Sequence, residues 1–250
     1  MRSINLRPLL LIASLSLLGA CSTLELSTPH ATVNGSANTE VKVVNDEAPE
    51  SEAVLDPLTL KAMNLRGEPK QYQGNSPLTP ASAKAQFKLA LALKRQGEWA
   101  EAEDKFKQLS LGYPTLSGPW VQLAELSLLQ AKDTEPGAGQ KQALSYLEKA
   151  LSLKPDNHFA HNRLAALLRQ QGKFKQAEEH YARAIASWPA FAEAYLNKGI
   201  LYDLYLGDKQ QALDHYQLYQ TLVDTPDRRV KGWIADLNRQ IHAAQQEAAK

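Results

Sequence analysis

The chain has 250 residues, of which 44% are hydrophobic and 22% are charged, values that are ordinary for a protein with one or two globular domains. Its 28 basic residues nearly balance its 27 acidic residues, so it lacks the basic excess that is typical of nucleic-acid-binding proteins. A single cysteine excludes an intramolecular disulfide and any metal site built from several cysteines.

Residues 1–20 have the pattern of a secretory signal peptide, with two early arginines followed by an apolar run from Leu9 to Leu18. This run is shorter than the roughly 20 apolar residues that a membrane-spanning helix needs. It ends in Leu-Gly-Ala immediately before Cys21, the only cysteine. The ending resembles the lipobox of bacterial lipoproteins. The alternative interpretation is an ordinary secretory signal with a chance cysteine.

The lipobox resemblance implies that the signal is cleaved before Cys21 and that Cys21 is acylated, for example with palmitate. More than one acyl chain gives stable membrane anchoring. Ser22 follows the cysteine, where an aspartate would favour inner-membrane retention in enterobacterial lipoproteins. The resemblance therefore implies a lipid-anchored protein on the periplasmic face of the outer membrane.

Residues 21–79 are predicted to form a disordered, acidic tether. Segment 22–53 has no aromatic residue and is rich in polar residues, so it buries too little apolar surface to offset the entropy of ordering. Segment 54–67 is more apolar, and one helical face carries Leu55, Leu58, Ala62 and Leu65. It is either a transient helix, a strip packed on the first helix of the folded domain, or a docking peptide. Its short length favours the first two interpretations over the third.

From residue 80 onward, structural landmarks recur along the chain. Small residues recur at steps of 41, 34 and 35 residues, a large residue follows each of them four positions later, and a proline follows each pair. The small residues are Ala102, Ala143, Ala177 and Ala212, the large residues are Phe106, Leu147, Tyr181 and Tyr216, and the prolines are Pro114, Pro155, Pro189 and Pro226. A period near 34 residues with these landmarks resembles the tetratricopeptide repeat, over about residues 82–224.

The resemblance implies an all-α solenoid of about four helix pairs. The expected array covers residues 80–225, divided at about 80–115, 116–156, 157–190 and 191–225, and residues 226–250 form a C-terminal capping helix and tail. The physics agrees, since small residues let paired helices approach closely and proline stops the second helix. Because the steps are unequal, about seven extra residues lie between Ala124 and Ala143, in a lengthened loop at about 130–142.

The resemblance also places a partner-binding groove on the first helix of each pair. The candidate groove residues are Phe87, Leu91, Lys94, Arg95, Val121, Glu125, Leu128, Phe159, Asn162, Arg169, Leu196, Ile200 and Asp203. They predict an apolar groove with a basic cluster at Lys94, Arg95 and Arg169, which suits an apolar helix or an extended segment with a few acids. The alternative is that Leu91, Val121 and Ile200 are simply buried between helices.

The sequence contains no recognisable catalytic constellation, so we expect no enzyme, no cofactor, no metal and no small-molecule substrate. The leading hypothesis is a membrane-anchored protein–protein interaction scaffold that assists the assembly of envelope or pilus complexes. Its domain order is similar to that of type IV pilus assembly lipoproteins. Alternatives are an accessory subunit of an energy-transducing or polysaccharide-export machine, or a regulator of a cell-wall synthase. The expected partners are proteins of the bacterial envelope, not nucleic acid.

Overall fold

The structure is a computed structural model that describes residues 57–67, 79–131 and 137–250. The predicted signal peptide, Cys21 and most of the predicted tether lie outside these residues. Within the described ranges the chain forms ten α-helices and no β-strand, which confirms the all-α prediction. None of these helices is both long and apolar enough to cross a membrane. The helices are α1 (Pro57–Gly67), α2 (Ala81–Gln96), α3 (Trp99–Gly112), α4 (Gly118–Gln130), α5 (Ala138–Leu153), α6 (His158–Gln170), α7 (Phe174–Ser187), α8 (Ala192–Leu201), α9 (Lys209–Leu222) and α10 (Arg228–Ala248).

Helices α2 to α9 form four consecutive pairs, in which α2 packs on α3, α4 on α5, α6 on α7 and α8 on α9. The second helix of each of the first three pairs also contacts the first helix of the next pair. Connections inside a pair are short, since only Gly97 and Glu98 separate α2 from α3, so the two helices run antiparallel. The array of stacked helix pairs confirms the predicted solenoid.

Small residues lie where the two helices of a pair approach closely. Ala102, Ala143, Ala177 and Ala212 are fully buried. The large residues one turn later, from Phe106 to Tyr216, are at most 1% exposed. In the fourth pair α8 contributes Gly199, and a Cβ there would come within 2.6 Å of the Tyr216 ring. The side chains at these positions thus fix the separation between the paired helices.

Glycines and prolines end the helices at regular places. Gly97 at the end of α2 has φ +87°, and Gly172 just after α6 has φ +74°, both in the left-handed region that glycine adopts without strain. The second helices α3, α5, α7 and α9 are followed within a few residues by the four recurring prolines. Because proline has no backbone N–H, it does not continue the helix.

The predicted insertion lies inside the second pair. Residues 131–137 connect α4 to α5, whereas two residues connect α2 to α3. The recurring small residue is the fourth residue of α3 and α7 but the sixth of α5. The insertion between Ala124 and Ala143 is therefore confirmed, but the predicted loop at about 130–142 is too long, because residues 138–142 belong to the start of α5.

Two helices outside the four pairs pack on the last repeats. Helix α10 buries Val230 and Leu237 against Tyr216 and its neighbours, which covers the end of the array. Helix α1 buries Ala62 and Leu65 in a cluster with residues of α7, α8 and α9. Residues 57–67 are thus an ordered helix inside the segment predicted as a disordered tether, which corrects that prediction for these residues. Of the alternatives left open for the segment, packing on the first helix of the array is wrong, because the apolar surface that receives α1 belongs to the last two repeats.

Candidate partner-binding surface

The first helix of each pair, α2, α4, α6 and α8, carries the predicted partner-binding residues. Helix α6 contacts both α4 and α8, and an ion pair joins α2 to α4. The four helices therefore lie side by side and share one surface, which we call the first-helix face.

The predicted groove residues differ in how far they are available to a partner. Phe159 and Arg95 are exposed, whereas Val121 and Asn162 are buried, at 2% and 1% exposure. The remaining nine are half-buried, and they are Phe87, Leu91, Lys94, Glu125, Leu128, Arg169, Leu196, Ile200 and Asp203. Several of the apolar members pack partly against the core clusters. Simple burial between helices was the alternative for Leu91, Val121 and Ile200, and of these three only Val121 is buried.

An ion-pair ladder crosses the first-helix face from the first repeat to the fourth. Lys94 of α2 pairs with Glu125 of α4, which also pairs with Arg163 of α6. Arg163 in turn donates to Glu193 of α8. Each step starts nearer the amino end of its helix, so the ladder runs diagonally across the face. Two cations and two anions leave it without net charge.

The protein environment stabilises the charged forms of the central pair. Burial alone would raise the pKa of Glu125, but the neighbouring Arg163 and Lys94 outweigh it and lower this pKa below its usual value. Burial likewise opposes the charge on Arg163, yet Glu125 and Glu193 raise the pKa of the Arg163 guanidinium. The four charges of the ladder thus neutralise one another and link the first helices of the four repeats.

The predicted basic cluster is only partly available to a partner. Lys94 is held by Glu125 and by Gln122, whose Oε1 accepts from Nζ at 2.6 Å. The Arg169 guanidinium lies 5.6 Å from the centre of the Tyr205 ring, and its Nη1 is 3.5 Å from the carbonyl oxygen of Asn197. Two of the three cations are therefore engaged by different helices of this chain.

Asn162 connects the third repeat to the fourth. Its Oδ1 accepts a hydrogen bond from Asn197 Nδ2 at 3.1 Å. Because Asn162 is almost fully buried, a partner cannot reach it while α6 and α8 remain packed. We therefore interpret this predicted groove residue as one that positions α8 beside α6.

A cavity of about 740 Å³, which we call the edge cavity, opens where the first helices begin. Its lining comes from the first three repeats and is largely apolar, with Phe87 on α2, Pro119 on α4 and Phe159 on α6. Lys84 and Lys88 of α2 also line it. The cavity therefore brings both predicted aromatic groove residues, Phe87 and Phe159, into one recess.

The exposed ring of Phe159 rests on a cluster of other rings. Phe159 lies 4.2 Å from His158 and 5.2 Å from Phe191, between ring centroids. Phe191 in turn stacks on Trp188 at 5.4 Å with an interplanar angle of 10°. This support holds Phe159 in place although it is 48% exposed, which is the arrangement expected of an anchor residue at a protein interface.

A buried hydrogen bond joins two of the residues that line the edge cavity. Asn157 caps α6, since its Oδ1 accepts from the Ala160 N–H at 3.1 Å. Its Nδ2 donates to Ser117 Oγ at 2.9 Å. One side chain therefore both starts α6 and joins the third repeat to the second, so the cavity has a defined shape before any partner arrives.

Sequence reasoning missed a π-helical turn at Tyr202–Leu206, which continues α8. It exposes Leu204, Tyr205 and Leu206, and the Tyr205 ring lies 5.1 Å from that of Phe174. A π turn differs from an α turn by one residue in its hydrogen bonding. The pattern of apolar and polar residues in the sequence does not indicate that change.

Among the described residues, no group of three or more His, Cys, Asp or Glu side chains is placed to hold a metal ion. The predicted lipidation site, Cys21, lies outside the described residues.

Comparison with known proteins identifies the repeats. The sequence matches the tetratricopeptide repeat family over residues 84–115 and 141–195. No curated protein matches the sequence. The structure is similar to TTC0263, a tetratricopeptide-repeat protein of Thermus thermophilus, with 24% identity, a TM-score of 0.54, and coverage of 72% of this chain and 88% of that one.

Two further solved structures have the same architecture. Pseudomonas aeruginosa PilF gives 20% identity and a TM-score of 0.55 over 66% of this chain and 72% of its own. MamA from Desulfovibrio magneticus RS-1 gives 20% identity and a TM-score of 0.51 over 68% of this chain and 91% of its own. At these identities the likeness shows the fold alone. The chain thus contains tetratricopeptide repeats and has the fold of a protein–protein interaction scaffold.

Proposed function

We propose that this tetratricopeptide-repeat chain is a lipid-anchored scaffold at the periplasmic face of the outer membrane, where its first-helix face binds a protein partner during the assembly of an envelope or pilus complex. The observation that carries the proposal is the first-helix face itself, which extends over four repeats and presents the supported aromatic ring of Phe159. Such surfaces bind protein segments by shape and apolar contact.

The ion-pair ladder sets the chemistry of the partner. Because Lys94, Glu125, Arg163 and Glu193 neutralise one another, the middle of the face has no excess charge to attract a strongly charged segment. The half-buried apolar residues beside the ladder favour a partner with apolar side chains. The pilus setting rests on the similarity in domain order to type IV pilus assembly lipoproteins, and the likeness to PilF adds only the shared fold.

The binding surface is tested with a photoreactive amino acid at Leu129, which is 38% exposed near the end of α4. The matched control is the same amino acid at Leu111 on α3, a second helix, where the side chain is 81% exposed. We expect one defined protein to be cross-linked at Leu129 and not at Leu111. Cross-linking of the same protein at Leu111 alone would place the binding surface on the second helices instead.

Membrane anchoring is tested with Cys21→Ala in the full chain. The lipobox resemblance predicts that this variant accumulates as unprocessed precursor, because cleavage by lipoprotein signal peptidase follows acylation of the cysteine. Radiolabelled palmitate should label the wild type and not the variant. Normal processing of Cys21→Ala with retention in the outer membrane would contradict the proposed anchor.

A further inference from the structure

We propose that the edge cavity is a recognition site for a protein segment in which an aromatic side chain is flanked by acidic residues. This site lies where the first helices begin, and none of the four ladder residues lines it. It adds a stated partner chemistry to the proposed scaffold function. It rests on the proposed function only in assuming that the partner is a protein.

The apolar half of the proposal follows from the two rings of the cavity. Phe87 packs edge-on against the buried Phe106 at 5.3 Å, and Phe159 is supported by Phe191. Both rings are therefore held by the core and still contribute to the cavity lining. Placing a large apolar side chain between them removes apolar surface from water on both partners, and ordered rings lose little entropy on binding.

The acidic half follows from the charges along α2. Lys84 and Lys88 are neighbours four residues apart on α2, and both line the cavity together with Phe87, so two ammonium-bearing side chains contribute to the recess that holds the aromatic ring. Neither lysine makes an ion pair among the described residues. The other charged lining residues, Lys154 and Asp156, have opposite charges. The cavity therefore has a cationic excess that complements acids flanking an apolar side chain.

The size and shape of the cavity fit a short peptide segment. Its volume of about 740 Å³ lies in the range of sites that enclose a compact ligand, about 300–1,000 Å³. The buried bond between Asn157 and Ser117 keeps it formed without a ligand. The chain's own acidic segment 22–56 has no aromatic residue to place between the two rings, which favours a segment from another protein.

Three labelled synthetic peptides test the proposal by fluorescence anisotropy with the full chain. The first is Gly-Glu-Trp-Leu-Asp-Gly, the second replaces its two acids with lysine, and the third replaces Trp and Leu with alanine. We expect saturable binding of the first peptide and a loss of about tenfold or more in affinity for each of the others. Absence of binding by the first peptide, or equal binding of all three, overturns the proposal.

Variants of the chain locate the binding. Phe159→Ala should weaken binding of the first peptide by about tenfold. The double variant Lys84→Glu/Lys88→Glu should reject the first peptide and gain affinity for the lysine peptide, which a loss of folding cannot produce. The matched control, Lys173→Glu/Lys175→Glu, reverses two exposed charges outside the cavity lining and should leave all affinities unchanged. If the control shifts the affinities as far as the Lys84/Lys88 variant does, the effect is that of overall charge and the site assignment is wrong.

Two further measurements detect other occupants of the edge cavity. Carbodiimide cross-linking joins contacting amines and carboxylates, and a product between Lys84 and an acid of segment 22–56 would assign the cavity to the chain itself. Sedimentation of a dimer that Phe159→Ala converts to a monomer would assign it to a second copy. Either result overturns the proposal. Peptide binding would still stand if the cross-linking at Leu129 failed, so the tests of the cavity and of the first-helix face are independent.

Discussion

Single side chains hold each repeat in register, and two kinds of contact do most of this. Inside a pair, a buried alanine or glycine lets the helices meet, as at Ala177 and Gly199. Between pairs, polar side chains make the contacts, as in the bond from Asn157 to Ser117 and the two ion pairs of Glu125. The contacts inside a pair can be predicted from the repeat pattern. The contacts between pairs cannot, because each joins side chains that are 30 to 40 residues apart in the sequence.

We predict that Ala177→Leu destabilises the protein by about 1–3 kcal/mol, because a fully buried position between two packed helices has no room for a larger side chain. Urea unfolding measures the change. Ala248→Leu, at an exposed position in the last turn of α10, serves as the control and should change stability by less than about 0.5 kcal/mol. Equal midpoints for the two variants would contradict the register of the repeats.

We predict that Glu125→Gln lowers the free energy of unfolding by about 1–3 kcal/mol, since it removes the negative charge shared by two half-buried cations and replaces one of the two acceptor oxygens with an amide donor. Its control is Glu103→Gln on α3, where the 2.7 Å ion pair with Lys107 lies within one helix near the surface. Such pairs contribute at most about 0.5 kcal/mol. The ladder would be energetically unimportant if the two variants had the same denaturant midpoint.

At the scale of elements, most of the fold was predictable and parts of the surface were not. The four pairs and the place of the insertion follow from regular spacings of small residues and prolines, since these determine where helices pack and end. The edge cavity and the π-helical turn at Tyr202–Leu206 do not, because they arise where three repeats meet or where one hydrogen-bond register changes. Phe87 and Phe159 were predicted as surface residues from their repeat positions, but the rings that support Phe159 come from loops and helix ends outside those positions.

Helix α1 provides an element-scale prediction. Leu65 is 7% exposed in the contact with α9, whereas Met63 on the other side of α1 is 56% exposed. Replacing a buried leucine removes about 1.5–3 kcal/mol of apolar stabilisation, so Leu65→Asp should release α1 and speed tryptic cleavage at Lys61 by about tenfold or more. Mass spectrometry of the early digestion products measures the rate.

Met63→Asp is the matched control for α1. It introduces the same charge on the exposed side and should leave the cleavage rate at Lys61 near that of the wild type. If both aspartate variants were cleaved as slowly as the wild type, the packing of α1 on the last repeats would not contribute to its stability.

At the scale of the whole molecule, several histidines make the fold sensitive to acid. Burial lowers the pKa of His158, His180 and His215 to about 4. Burial also lowers the pKa of His161, whose Nε2 donates to the Pro155 carbonyl at 2.8 Å. Because a carbonyl only accepts, neutral His161 has its proton on Nε2, and its Nδ1 accepts from His180 Nδ1 at 2.9 Å. When both rings are protonated, both Nδ1 atoms carry a proton, so this bond between α6 and α7 is lost.

We predict that stability falls as the pH decreases from 6.5 to about 4. In this window the unfolded chain binds protons at these histidines and the folded chain does not, so acid favours unfolding, by a few kcal/mol in total. The depressed pKa of Glu125 acts in the same direction at the acid end. Thermal unfolding across this range measures the effect, and His158→Phe should reduce the slope. A melting temperature that stays constant from pH 6.5 to 4 would contradict the burial of these rings.

The position of α1 has a mechanical consequence. The described chain enters the fold at α1, and α1 is seated on α9 of the fourth repeat, not on α2 of the first. Tension applied to the residues before Pro57, for example by a membrane anchor at Cys21, is therefore transmitted first to the contact between α1 and α9. That contact between α1 and α9 would break before the helix pairs unfold, so α1 would detach first and leave the array of helix pairs folded. The first three repeats, including the edge cavity, would then bear load only after α1 had detached.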